Sequence, residues 1–186
     1  MNQKAFVLQP FAQSAQNLAL QLTGTIVRQG SLLDLSYALQ GAVDAVYLPN
    51  TLQPPQRPPQ RQDNLWQTTC FEFFLGLPDK TSYWEFNLSP GGHWNVYRFA
   101  DYRQGMTLES AIIALPIALK VEPAVVSMAV TVDLGPIVPP EQPLEMAVST
   151  VLQSQTGHLS YWALTHPGAE ADFHRRDSFT LYLEAD

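Results

Sequence analysis

The chain is poor in charge, in cysteine and in long apolar runs. Only 15% of its 186 residues are charged, and ten basic against 17 acidic residues leave a net charge of −7. Nucleic-acid backbones and anionic membranes both reward a basic surface, so this balance speaks against either as a partner. A lone cysteine, Cys70, excludes an intrachain disulfide and a CxxCH haem attachment. The opening stretch MNQKAFVLQPFAQSAQN holds one lysine and no apolar run of signal-peptide length, and no segment reaches transmembrane length. The expected setting is therefore the cytoplasm. A glycine-rich phosphate loop is also missing, since Ser89-Pro90-Gly91-Gly92 reads as a hairpin turn.

What is present is an apolar period of two. Leu18, Leu20, Leu22 and Ile26 alternate with polar residues, as do Leu33, Leu35, Tyr37 and Leu39 after the Gln29-Gly30 turn. The same rhythm runs through Phe71, Phe73 and Leu75, then Trp84, Phe86 and Leu88, then Val126 to Leu134 and Met146 to Leu152. Shorter runs at Leu159–Ala163 and Phe179–Leu183 complete it. About nine to eleven strands separated by turn signals predict an all-β protein, a two-sheet sandwich or a barrel. Helix is expected only at 108–118, where Pro116 curtails it, and at 11–18. Residues 54–62, PPQRPPQRQ, repeat PPQR and predict a polyproline-like surface loop, either a simple excursion or a lid beside the next strand.

The segment 82–99, SYWEFNLSPGGHWNVYRF, poses a question about its second face. A four-residue Ser89–Gly92 turn would pair Leu88 with His93 and Tyr83 with Arg98. Trp84, Phe86, Leu88, Tyr97 and Phe99 would then face the core. The other face would gather Glu85, Asn87, Trp94 and Arg98, joined by Trp66 and Glu72 from LWQTTCFEFFL. Trp162 falls opposite Leu159 and Tyr161 in the same way. Indoles stack on the C–H face of a sugar ring, while carboxylates, amides and guanidinium groups take its hydroxyls. The competing reading makes this face the inside of a thicker sandwich, a structural or interaction module with tryptophans as filling and a Glu72–Arg98 ion pair.

LWQTTCFEFFL, YWEFNLSPGGHWNVYRF, DYRQGM and SYWALTHPGAEADFHRRDSFTLYLE resemble the bacterial DOMON-like family, related to the family 9 carbohydrate-binding modules. The resemblance spans residues 1–186. It implies a single-domain, jelly-roll-like β-sandwich whose concave sheet holds a ligand, in relatives a sugar or a haem. In the sugar-binding relatives two tryptophans clamp the ring, and a glutamate lies six residues after the first. Trp66 and Glu72 match that spacing, and Trp162 stands where the second clamp is expected. Those relatives carry Arg-x-Asn on the next strand, whereas this chain has Glu85-Phe86-Asn87.

Other chemistries have thinner support. Glu72 and Glu85 would be the acid and the nucleophile or base if the protein were a glycoside hydrolase. Haem would need axial ligands from Met106 or Met128 and from His93, His158, His166 or His174. The tail holds His166, Asp172, His174 and Asp177, but no metal-site spacing supports a metal. The expectation is non-catalytic binding of a small polar ligand, a carbohydrate, with no cofactor. Trp66, Glu72, Glu85, Asn87, Trp94, Arg98 and Trp162 would form the site, with Tyr102, Arg103, His166 and His174 at its rim.

Overall fold

The structure, a computed structural model, describes residues 2–12, 19–49 and 60–185. The helix expected at 11–18 and the PPQR repeat up to residue 59 lie largely outside these. The described residues form twelve strands and no α-helix. They are β1 (Asn2–Pro10), β2 (Leu20–Gln29), β3 (Leu32–Gly41), β4 (Cys70–Gly76), β5 (Tyr83–Leu88) and β6 (Trp94–Phe99), followed by β7 (Thr107–Leu108), β8 (Ile117–Glu122), β9 (Val125–Asp133), β10 (Leu144–Gln153), β11 (Leu159–Ala163) and β12 (Leu181–Leu183). Residues 108–118 hold no helix. Pro116 denies a helical hydrogen bond there, and the chain runs without regular structure from β7 to β8.

Every strand pair is antiparallel, so the fold is an all-β sandwich of two sheets. One sheet runs β8-β9-β3-β2-β1 and the other β7-β6-β5-β4-β10-β11, with β12 paired to the start of β10. Strand β1 belongs to both: its first part pairs with β2, while Gln9 and Pro10 pair with Ala163 and Trp162. The alternating residues Leu22, Ile26, Leu33, Leu35, Leu39, Val126, Met128 and Val130 face inward from the first sheet. They meet Phe71, Phe73, Leu75, Phe86 and Leu88 from the second. Phe73 and Phe86 stack across their strand pair at 4.4 Å. Each such ring stabilises the fold by about 1.5–3 kcal/mol on burial. Tyr37 crosses the sandwich, its hydroxyl donating to the Glu72 carbonyl at 2.6 Å.

The β5–β6 turn has five residues, not four. The Ser89 N–H donates to the His93 carbonyl at 2.8 Å, and Leu88 pairs with Trp94. Gly92 supplies the left-handed residue, with φ of 83°. One extra residue inverts every side chain of β6. Trp94 and Val96 therefore enter the core, while Asn95, Tyr97 and Phe99 take the opposite face. The predicted register, and with it the outward placement of Trp94, is overturned.

A second set of aromatic residues covers that opposite face. Phe74, Tyr83, Tyr97, Phe99, Ala147 and Phe179 form a separate cluster, with Trp66 and Phe173 packed on it. Strand β4 is consequently buried on both sides throughout.

Candidate functional site

The outer face of the β6–β5–β4–β10–β11 sheet carries polar rows that the core does not. One runs Asn95, Asn87, Glu72, Ser149 across successive strands, and the next runs Tyr97, Glu85, Phe74, Ala147. Above Glu72 and Glu85 lies a cavity of about 480 Å³, inside the roughly 300–1,000 Å³ range of small-molecule sites. Trp66, Phe99, Tyr161 and Phe173 supply aromatic walls, and Met106, Val151 and Leu159 aliphatic ones. Arg103 and His174 reach it from the segments that cover the sheet.

Both glutamates are nearly inaccessible, at 2% for Glu72 and 5% for Glu85. Glu72 accepts a bond from the Ser149 hydroxyl at 3.2 Å through Oε2, while its buried Oε1 has no hydrogen-bond partner among the described residues. Burial, reinforced by the Glu85 charge, holds the Glu72 carboxyl well above the usual carboxylate range. Glu85 accepts from the Asn87 amide at 2.8 Å. Its burial outweighs that bond and the Arg103 charge, raising it to about 7. Asn87 thus lies in the layer beneath the cavity and orients Glu85.

Tyr83 anchors His174. The Arg103 backbone N–H donates to the Tyr83 hydroxyl at 3.2 Å, and that hydroxyl shares a hydrogen bond of 2.8 Å with His174 Nδ1. His174 Nε2 stands 4.0 Å from Glu85 Oε2. Desolvation, helped by the Arg103 charge, lowers His174 to about 4, so the ring is neutral and the approach is not an ion pair. Asp172 fixes this cover. It accepts from the Tyr102 hydroxyl at 2.5 Å, from Arg103 Nη2 at 2.8 Å and from the His174 N–H at 3.1 Å. Burial would raise the Asp172 carboxyl, but these three donors prevail and lower it.

The structure brings Trp66, Glu72, Glu85, Arg103 and His174 of the sequence-selected residues to one cavity. Four others stand elsewhere. Trp94 and Trp162 occupy opposite ends of one core-facing row, Trp94–Leu88–Phe71–Thr150–Trp162. The Arg61 guanidinium lies 4.3 Å from the Trp94 ring centroid, and Trp162 donates its indole N–H to Ser160 at 3.1 Å. Arg98 pairs with Trp84 at the sheet edge, on the face away from Glu72, so a Glu72–Arg98 ion pair is ruled out. His166 packs on Phe11, its Nε2 bonding the Gln9 carbonyl at 2.8 Å. Tyr102 stands outside the cavity lining and acts on the rim through Asp172 and Arg103.

Phe99, Tyr161 and Phe173 were not selected from sequence, and neither was Tyr83. Two of them had a signal. A five-residue turn exchanges Trp94 and Arg98 for Tyr97 and Phe99, and placing Trp162 in the core sends Tyr161 to the cavity.

The described residues contain no group of three or more His, Cys, Asp or Glu arranged to hold a metal ion. No described helix is long and apolar enough to cross a membrane.

No protein-family model and no curated protein matches the sequence. Solved structures do match the fold. A proposed carbohydrate-binding protein from Bacteroides uniformis superposes with a TM-score of 0.66 at 12% identity, covering 97% of this chain and 84% of the other. A family 9 carbohydrate-binding module from Caldicellulosiruptor kristjanssonii, in complex with cellotriose, gives 0.55 at 9% identity over 89% of this chain and 74% of its own. A family 9 module from the same organism with glucose gives 0.50 at 11% identity over 84% and 72%. At these identities the likeness defines the class of fold: the chain shares the β-sandwich of family 9 carbohydrate-binding modules.

Proposed function

We propose that the protein binds a small carbohydrate, without catalysis, in the cavity over Glu72 and Glu85. The observation that carries this is the unpartnered, buried Glu72 Oε1 on the floor of an aromatic-walled cavity. A buried polar atom left unsatisfied costs roughly 1–3 kcal/mol, and a ligand hydroxyl in the cavity would relieve that cost. Trp66, half-buried and edge-on to Tyr97 at 5.8 Å, offers an indole surface for the apolar side of a sugar ring. The neighbouring folds named as binding cellotriose and glucose support the same reading.

Isothermal titration against glucose, cellotriose and a panel of mono- and disaccharides tests the reading. At least one should bind saturably, and Trp66→Ala should weaken it by tenfold or more with the fold intact. Absence of saturable binding across the panel sinks the proposal.

A further inference from the structure

The cavity is rich in acceptors and short of free cations. Glu72 offers a buried Oε1 without a partner, and Glu85 Oε2 has His174 Nε2 only at 4.0 Å. Arg103 is the cation among the lining residues, and its guanidinium is committed to Asp172 at 2.8 Å. His174 is a neutral imidazole there, because desolvation lowers it to about 4. The remaining ionisable groups around the floor, Cys70, Tyr83 and Tyr97, add no positive charge.

A ligand hydroxyl can donate to Glu72 Oε1 but brings no charge that would stabilise the ionised glutamates. An ammonium group presents N–H donors without an acceptor and carries that positive charge. The walls suit it as well, because Trp66, Phe99, Tyr161 and Phe173 present ring surface to which a cation is attracted. We infer that the ligand carries a primary ammonium group, seated between Glu72 Oε1 and Glu85 Oε2 and enclosed by the aromatic walls. An amino sugar is the class that combines this group with the ring surface already assigned. The inference rests on the carbohydrate reading of the same cavity and narrows it. Seating the ammonium ionises the glutamates beneath it, so their protons pass to the solvent.

Titration calorimetry of the full chain with glucosamine, galactosamine and mannosamine, each against its parent sugar and its N-acetyl form, tests this. At least one amine should bind tenfold or more tighter than its parent, with proton release revealed by buffers of different ionisation enthalpy. Glu72→Gln, or Glu85→Gln should the first variant not fold, should abolish the preference, the amine losing at least tenfold more affinity than its parent sugar. Sugars that bind with no tenfold amine preference overturn this inference and leave the carbohydrate reading standing. A preference that survives both variants overturns it equally. If no sugar of any kind binds, the carbohydrate reading falls and takes this inference with it.

Discussion

Glu85 and His174 stand 4.0 Å apart and pull stability in opposite directions as pH changes. Folding raises Glu85 from 4.5 to about 7, so between those values the native chain holds a proton that the unfolded chain has lost. Its contribution is complete below about 4.5 and disappears as pH rises through 7. Folding lowers His174 from 6.5 to about 4, so its contribution is complete above 6.5 and disappears as pH falls through 4. Each amounts to about 3 kcal/mol at full extent, and between about pH 4.5 and 6.5 they largely cancel. Urea unfolding across that window separates them. Glu85→Gln should lose stability on acidification more steeply than the natural chain, whereas His174→Gln should gain it. Identical pH profiles for the two variants would refute this account.

The turn between β5 and β6 decides which residues belong to the cavity. Strand alternation was legible in the sequence because a half-buried strand must place apolar residues at every second position. The phase of β6 was not, because Trp94, Val96, Tyr97 and Phe99 make both of its faces apolar. With both faces buried, only the turn length could choose between them, and SPGGH accommodates either. Deleting Gly91 should restore a four-residue turn and drive Trp94 and Val96 out of the core. The expected outcome is loss of the cooperative thermal transition and of near-ultraviolet circular dichroism. A deletion variant that melts like the natural chain would show that β6 tolerates either phase. The β4 pattern, by contrast, placed Glu72 on the outer face directly, and Trp66 precedes it in a short 3-10 turn at Leu65–Gln67.

The whole molecule is one curled sandwich, and its sheets are fastened beneath the candidate site. Tyr37 reaches from β3 to the Glu72 carbonyl, fully buried, and Gly24 makes room for Phe6 beside it: a Cβ there would stand 2.3 Å from the Phe6 ring. Tyr37→Phe keeps the ring and removes the bond, and should cost about 1–2 kcal/mol. Urea denaturation measures this, and an unchanged midpoint would show the bond to be dispensable. Such long-range fastenings had no sequence signature. The cover was legible only in part: His174 was expected at the rim and lines the cavity, whereas Phe173 carried no signal that it packs there. The all-β class was legible because period-two patterning recurs along most of the chain. The location of Trp94 and Trp162 was not, because an indole can fill a core or line a site.

That distribution of indoles has a spectroscopic consequence. Trp84, Trp94 and Trp162 are 4–6% accessible, while Trp66 is half-buried at the cavity wall. Collisional quenchers such as iodide will therefore reach one emitter out of four. The chain carries its own nearly single-site fluorophore, positioned where an occupant of the cavity would shield it.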